Sequence, residues 1–295
     1  MADLVSHALG PLVEGRSPAE IEVLRVLDPA CGSAHFLVEA MRFLGRALHR
    51  AYALEHGGKA PPHFRSTTGQ GWDADWQTTD EDARARLSEA RAWCKRRIAE
   101  RCLFGVDLNP TAVTLAHVSL WIESVAGDRP LTYFEHHVRC GNSLLGSFVE
   151  RLARPPFDEK DKDQRQAGIY AKQVRDAVRE AAGLRRLIDS APTDALAREG
   201  IDPESVGEQE YKDCLRRRAD ATLGGARMLF DLRSAALFLP GIWHDWYALA
   251  DHVADPATLE AEARQRSWWD GFVAVRDRER FFHWELEFPE VFLDA

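Results

Sequence analysis

The pattern of apolar and polar positions near the N-terminus predicts a strand, a tight loop and a helix. Residues 23–27 are apolar and partly β-branched, which indicates a buried parallel strand. Asp28 and Pro29 end this strand, and a loop of small residues follows. Apolar residues then recur at helical spacing between Phe36 and Ala51. This succession is typical of the opening unit of a nucleotide-binding α/β sheet.

The same kind of pattern predicts the other elements of an N-terminal α/β region. Helices are expected over residues 3–13 and 81–100, and from Pro110 to about Gly127. Strands are expected over residues 103–106, 131–134 and 137–140. Residues 57–80 are rich in Gly, Pro, Thr and Asp and predict a loop. This loop and the helix after it form an expected insertion at about 57–100, between the first helix and the second strand.

Beyond Arg151 the pattern becomes helical. A strong apolar stripe runs over residues 160–188, and a weaker one over residues 207–233 is broken at Gly224. Shorter helices are expected within residues 233–270. We therefore expect an α/β core over residues 1–150, a helical insertion over residues 151–280, and a return to the core over residues 281–295.

Charge and composition restrict the possible functions. The chain has 295 residues, of which 45% are hydrophobic, and a formal net charge of -9. A protein that holds duplex DNA alone is expected to carry a basic stripe, which this sequence lacks. Any contact with DNA must therefore be local or be supplied by another segment.

The cysteines and the absence of long apolar runs indicate a cytoplasmic protein. The five cysteines form no Cys-x-x-Cys pair, so no zinc site is expected, and their scattered positions suit free thiols. No apolar run approaches the length of about 20 residues needed to span a membrane. The N-terminus has no basic region followed by an apolar one, so no secretion signal is expected.

Two acidic residues stand where predicted parallel strands end. Asp28 can accept a hydrogen bond from an amino group, and the loop at Gly32 exposes backbone N–H groups; the alternative is a plain strand-to-helix turn. Asp107 can accept from both hydroxyls of a ribose. Its alternative role, capping the next helix, suits Asn109 better because Asn109 directly precedes Pro110. The sequence therefore predicts a ligand site at these strand ends.

Three motifs resemble adenine-specific DNA methyltransferases. Residues 28–37, Asp-Pro-Ala-Cys-Gly-Ser-Ala-His-Phe-Leu, resemble the first S-adenosylmethionine motif of that family. Residues 104–110 are similar to its second motif, and residues 140–146 to its Gly-Asp/Asn-Ser-Leu motif. Residues 282–292 resemble the segment before the catalytic motif in large type II restriction-modification and BREX-like phage-defence enzymes. The resemblance implies a Rossmann-like α/β methyltransferase sheet with a large helical insertion.

The resemblance also implies S-adenosylmethionine as cofactor and a set of residues that bind it. The cofactor-binding set is Asp28, Pro29, Ala30, Gly32, Ser33, Asp107, Leu108 and Asn142. In the resembling motif Asn142 faces the adenine amino group; the alternative is a turn residue after Gly141. Ala34 departs from the family, which usually has glycine there. A positive φ at Ala34 would be penalised, and its methyl group could crowd the ligand.

The motif that amino-methylating enzymes need is absent from these 295 residues. It combines Asn or Asp with Pro-Pro and an aromatic residue, which hold and polarise the flipped base. The only Pro-Pro-aromatic run follows Arg154, which cannot accept a hydrogen bond from an amine. We therefore assign no catalytic residue. We expect catalytic and target-recognition segments, or another chain, to complete the enzyme and its contact with DNA.

The sequence thus favours the S-adenosylmethionine-binding part of a bacterial DNA adenine-N6 methyltransferase that is inactive by itself. The alternative is a non-catalytic S-adenosylmethionine-binding or assembly module of a restriction or defence complex. A nicotinamide dehydrogenase is disfavoured because no Gly-x-Gly-x-x-Gly follows the first strand. His136, His137 and His283 have no partners at metal-ligand spacing. The tryptophans at 243, 246, 268 and 269 suit a helical core better than a base-stacking platform.

Overall fold

The protein is a mostly helical α/β chain with a small parallel sheet. The computed structural model describes residues 1–62, 64, 72, 81–124, 136–152, 164–189 and 208–292. The chain divides into two compact units, Met1–Cys140 and Gly141–Ala295. The assignment of residues 151–280 as an insertion and of residues 281–295 as a return to the core stays a prediction.

Among its described residues, the first unit has three parallel strands in the order β1-β2-β3. The strands are β1 Val26–Asp28, β2 Leu103–Asp107 and β3 Val138–Cys140. The helices are α1 Ala2–Val13, α2 Pro18–Glu22, α3 His35–Glu55, α4 Glu81–Arg101 and α5 Pro110–Glu123. Asp28 pairs in register with Gly105, and Asp107 with Cys140. The parallel register brings the carboxyl ends of β1 and β2 to one edge of the sheet.

The first strand is shorter than the sequence pattern predicted. Val23 ends α2 and is 66% exposed, and the Leu24 N–H donates to the carbonyl of Ile21 at 3.2 Å. Pairing of the first strand begins at Val26, whose N–H donates to the carbonyl of Cys102, the residue before β2, at 2.7 Å. The prediction was therefore wrong for residues 23–25. A helix that begins at the Ser17 capping box uses the first part of the apolar run for its own C-terminus.

A buried ion-pair cluster connects helices α2, α3 and α4. Glu22, which is 7% exposed, accepts hydrogen bonds from Arg97 at 2.6 and 2.7 Å and from Arg101 at 2.9 Å. The Tyr52 hydroxyl also donates to Glu22, at 2.8 Å. Around this cluster, α3 and α4 pack apolar side chains, among them Leu44, Cys94 and Ile98. The polar cluster thus holds three helices together beside an apolar core.

The second unit is helical over its described residues. Its helices are α6 Val149–Leu152, α7 Gln164–Asp189, α8 Glu208–Thr222, α9 Gly224–Ala235, α10 Trp246–Ala250, α11 Pro256–Arg264, α12 Trp269–Glu279, α13 Trp284–Glu287 and α14 Pro289–Phe292, with a 3-10 helix at Pro240–His244. The break predicted at Gly224 lies one residue earlier, at Leu223, because α8 ends at Thr222 and α9 begins at Gly224. Trp246 is buried, and the other three tryptophans pack on the same core, as predicted.

Several predictions lie outside the described residues. They are the strand at 131–134, the helix end near Gly127, the Arg154 to Phe157 run and most of the loop at 57–80. Among the described residues, no group of three or more His, Cys, Asp or Glu side chains is placed to hold a metal ion. In the same part of the chain, no helix is both long enough and apolar enough to cross a membrane.

Candidate functional site

The candidate site is the edge where β1 and β2 end, formed by residues 28–34 and 107–109, which we call the strand-end cradle. Asp107 joins its two loops: Oδ2 accepts from the Gly32 N–H at 2.8 Å, and Oδ1 accepts from the Asn109 N–H at 2.9 Å. Asn109 caps α5 by accepting from the Thr111 N–H at 2.9 Å, as predicted. Asp107 is therefore released from capping, but it is engaged with the backbone of both loops.

The small-residue loop is pressed against the central strand. The Cys31 N–H donates to the Val106 carbonyl at 2.9 Å. A methyl group added at Gly105 would lie 2.9 Å from Leu37 Cδ1 and 3.1 Å from Cys31 Sγ. Glycine in the strand thus makes this close approach possible. Burial, followed by the charges of nearby Asp28 and Asp107, raises the pKa of Cys31 to about 12, which disfavours the reactive thiolate form.

Ala34 occupies the left-handed backbone region that its family resemblance suggested. Its φ is 66° and its ψ is 27°, and Gly32 also has a positive φ, of 52°. The side chain of Ala34 is fully buried, in the same apolar core as Leu37. Its methyl group therefore points into the protein, and the expectation that it could crowd a ligand is not supported. Only the backbone penalty of about 1 kcal/mol remains.

The outer surface of the cradle offers several groups to a ligand. Asp28 Oδ1 accepts from the Ala30 N–H at 3.1 Å, which rigidifies the start of the loop. A Cβ placed on Gly32 would meet nothing within 4 Å, so the space beside this residue is open. Leu108 is 52% exposed directly after Asp107. Each carboxylate oxygen has a further lone pair, so both acids can still accept from hydroxyl or ammonium groups.

The structure brings together seven of the eight predicted site residues. Those in the cradle are Asp28, Pro29, Ala30, Gly32, Ser33, Asp107 and Leu108. Pro29, Ala30 and Ser33 are exposed there. Asn142 belongs to the second unit, so its part in cofactor binding stays a prediction.

The loop of Asn142 is held by a segment near the C-terminus. Asn142 donates its backbone N–H to the Arg280 carbonyl at 2.7 Å, and its Oδ1 accepts from the Leu144 N–H at 3.2 Å. A methyl group on Gly141 would lie 2.6 Å from the Phe282 ring, so this glycine is needed for close packing. The turn interpretation of Asn142 and the binding interpretation are both compatible with this geometry.

Sequence reasoning missed the role of His283 in this loop. His283 is buried, accepts from the Ser147 N–H at 3.0 Å through Nδ1, and pairs with Asp231 Oδ1 at 2.8 Å through Nε2. The spacing of the histidines argued against a metal role but did not indicate these hydrogen bonds. The available sequence signal for close packing of this loop was its two flanking glycines. A Cβ added at Gly141 or at Gly146 would collide with Phe282, the neighbour of His283.

A groove in the first unit lies apart from the cradle. It has a volume of about 860 Å³ and is lined by residues of α1 and α3, including Val13, Phe43 and Leu54. None of its lining residues belongs to the cradle. The donors and acceptors at the strand ends, rather than cavity volume, therefore define the candidate site.

Comparison with known proteins gives one partial similarity. The chain is similar to a Methanocaldococcus jannaschii protein named "Putative type II restriction enzyme and methyltransferase". The two are 29% identical over 144 residues, which cover 45% of this chain and 10% of the archaeal protein. No family model matches the chain, and no solved structure does. The chain is thus distantly similar, over a part of its length, to a protein named for restriction and methyl transfer.

Proposed function

We propose that this chain is the S-adenosylmethionine-binding part of a site-specific DNA adenine-N6 methyltransferase of a restriction-modification or defence system. The observation that carries the proposal is the hydrogen bond between Asp107 and Gly32, which joins an acid and a small-residue loop at adjacent ends of parallel strands. The similarity to a protein named for both restriction and methyl transfer supports the same interpretation.

The cradle suits this cofactor chemically. Asp107 would accept hydrogen bonds from the two ribose hydroxyls with the lone pairs that the backbone N–H groups leave free. Asp28 would accept from the ammonium group of the methionine part, and the open space beside Gly32 would admit the ligand close to the backbone. Leu108 would offer its exposed side chain to the adenine ring. The bound cofactor supplies the methyl group that the complete enzyme transfers to adenine.

Calorimetric titration of the 295-residue chain tests the proposal. We expect S-adenosylmethionine and S-adenosylhomocysteine to bind with one site per chain, and NAD to give no saturable heat under the same conditions. Binding of NAD in preference to both would replace the proposal with a dehydrogenase. Failure of all three ligands to bind would remove the cradle as a cofactor site.

The second candidate is a non-catalytic S-adenosylmethionine-binding or assembly module that acts with another chain. It is favoured by the absence of an Asn or Asp before Pro-Pro-aromatic in the sequence. Both candidates bind the cofactor, so calorimetry does not separate them. Assays of methyl transfer to DNA do, first with this chain alone and then with chains encoded beside it.

A further inference from the structure

An arginine and a tryptophan of the second unit lie together with unused hydrogen-bond donors. The guanidinium carbon of Arg233, on α9, lies 5.7 Å from the centre of the Trp243 ring. Arg233 Nη1 and Trp243 Nε1 are both shielded from solvent, and neither has a hydrogen-bond acceptor among the described residues. Both side chains as a whole are only partly buried, so the pair lies at the surface. We call Arg233, Trp243 and the nearby Arg151 the arginine–tryptophan site.

A second positive charge lies near this pair. Arg151, on α6, is exposed and acts on Arg233 as a like charge. Within the described part of the chain, no carboxylate forms an ion pair with either arginine. Burial, followed by the charge of Arg151, lowers the pKa of Arg233 to about 10. This is the direction expected for a cation that has lost water without gaining a counter-ion.

Leaving these donors without acceptors is costly. A shielded donor without a partner costs about 1–3 kcal/mol, and more when the group is charged. Proteins rarely keep such groups, because a hydrophobic side chain of similar size would be more stable. A ligand that accepts several hydrogen bonds and carries negative charge would remove the penalty at Arg233 and Trp243 together.

A second arginine–tryptophan pair in the same unit shows the ordinary arrangement. The guanidinium carbon of Arg264 lies 5.6 Å from the Trp269 ring centre, which is nearly the same spacing. Arg264, however, donates to Glu260 at 2.6 and 3.1 Å. Stacking on tryptophan is therefore common to both pairs, whereas a carboxylate partner among the residues that the structure describes is found only for Arg264.

We propose that the arginine–tryptophan site binds a phosphate-type oxyanion, with Arg233 and Trp243 donating hydrogen bonds to its oxygens and Arg151 adding positive charge. A guanidinium matches phosphate oxygens with two parallel donors, and both partly buried side chains must turn to bring their shielded donors to the oxyanion. The source that fits best is the phosphodiester backbone of DNA; this choice of source rests on the proposed function. It would supply the local DNA contact that a chain of net charge -9 needs.

Two probes and two matched variants test the proposal on the full chain. The probes are inorganic pyrophosphate, followed by calorimetry, and a short fluorescein-labelled DNA duplex, followed by anisotropy at several salt concentrations. Arg233→Met keeps an unbranched, though shorter, side chain beside Trp243 and removes the charge, and Arg264→Met makes the same change at the other stacked arginine. We expect Arg233→Met to weaken the binding of both probes by about tenfold. It should also lower the slope of log affinity for DNA against log salt concentration by about one. Arg264→Met should leave the affinities and the slope unchanged.

Stability and cofactor binding distinguish an oxyanion site from a purely structural role of Arg233. Arg233→Met should unfold at the same temperature as the wild type or higher, because it removes an unpaired charge. Should that variant fold poorly, the exposed Arg151→Gln tests the same site and should weaken both probes severalfold. S-adenosylmethionine binding should not change in either variant, because neither residue lies in the strand-end cradle. A chain that binds no cofactor could therefore still bind the two probes at the arginine–tryptophan site.

Three results decide the proposal. Weaker binding of both probes in Arg233→Met, with unchanged binding in Arg264→Met, supports the site and its DNA source. Loss of pyrophosphate binding with unchanged DNA binding keeps the oxyanion site but assigns it to a free phosphate compound and overturns the DNA source. Equal binding of both probes by wild type, Arg233→Met and Arg151→Gln overturns the site itself.

Discussion

The carboxylate of Asp107 accepts a hydrogen bond from the backbone N–H of Gly32 at 2.8 Å, although the two residues lie 75 positions apart in the chain. The second oxygen of Asp107 accepts from the Asn109 N–H at 2.9 Å. One side chain therefore fixes the loops after two neighbouring strands. In the proposed function the same side chain also receives the ribose, so its substitution should affect loop and ligand together.

We predict that Asp107→Ala weakens S-adenosylmethionine binding by about 1–3 kcal/mol, because it removes charge-assisted hydrogen bonds to the ligand and releases the loop of Gly32. Asp107→Asn keeps one acceptor oxygen and should weaken binding less. The measurement is the dissociation constant by calorimetry. Asp277→Ala, at an exposed position of α12, serves as the control and should bind like the wild type. An unchanged dissociation constant in Asp107→Ala would remove Asp107 from the site.

For Ala34 the structure changes the expected outcome of substitution. Ala34→Gly relieves a backbone penalty of about 1 kcal/mol but loses a buried methyl group and adds freedom to the unfolded chain, so we expect stability to change by less than about 1 kcal/mol. Cofactor affinity should stay within about twofold, because the methyl group faces the core. The measurements are urea unfolding and calorimetry. A clear gain in affinity would show that the methyl group does reach the ligand.

A matched substitution tests the same backbone position from the other side. Ala34→Val places a β-branched side chain at a φ of 66° in a fully buried position. We expect it to destabilise the protein by at least about 2 kcal/mol, through backbone strain and overpacking. A neutral effect would mean that the loop can adopt another conformation without cost.

Glu22 should be among the most sensitive polar positions of the first unit. Glu22→Gln removes the charge that Arg97 and Arg101 face in a buried cluster, and we expect it to destabilise the protein by about 3 kcal/mol in urea unfolding at pH 7. Glu260→Gln breaks an exposed pair with Arg264, with side chains 48% and 63% exposed, and should cost less than about 0.5 kcal/mol. Equal effects of the two substitutions would mean that the buried cluster does not stabilise the fold.

The pH dependence of the free energy of unfolding in acid provides an independent check of the same cluster. Desolvation raises the pKa of Glu22, but the hydrogen bonds and charges of Arg97, the charge of Arg101 and the hydrogen bond from Tyr52 together lower it below the usual value. A lowered pKa in the folded state contributes stability above the unfolded value of about 4.3, and this contribution is lost as pH falls through the folded value. The difference in free energy of unfolding between wild type and Glu22→Gln, measured by urea unfolding, should therefore become smaller below about pH 4.

We predict that the 295-residue chain alone does not methylate DNA. The adenine amine is a poor nucleophile and needs acceptors aimed at its hydrogens and a surface that stacks the flipped base. The sequence contains no Asn or Asp before Pro-Pro-aromatic to supply these groups. The test is incubation with labelled S-adenosylmethionine and mixed-sequence DNA, followed by digestion and detection of N6-methyladenine. Methylation by the wild-type chain that is lost in Asp107→Ala would contradict the prediction.

The cradle could be predicted from sequence because each of its parts has a local signal. Small residues after an apolar run, Asp107 after a second run and Asn109 before Pro110 all report on one or two neighbours. The start of the first strand could not, since Val23 and Val26 look alike as apolar residues and only the helix begun at Ser17 decides between them. These differences follow from whether an interaction is local in the chain.

Pairings distant in the chain escaped the sequence for the same reason. No pattern near Glu22 in the chain predicts its ion pairs with Arg97 and Arg101, which lie 75 and 79 positions away. Likewise, Arg233 and Arg264 each lie over a tryptophan ring at nearly the same distance. Only the three-dimensional structure reveals that one arginine has a carboxylate partner and the other has none among the described residues.

The hydrogen bonds that hold the cradle have a thermodynamic consequence. The loop at Gly32 is tied to Asp107, and the Cys31 N–H to the carbonyl of Val106, by hydrogen bonds within the protein itself. A ligand that enters such a site loses little free energy to ordering the chain. The heat-capacity change on cofactor binding should therefore match the apolar surface that the ligand itself covers, with no added component from folding of the loop.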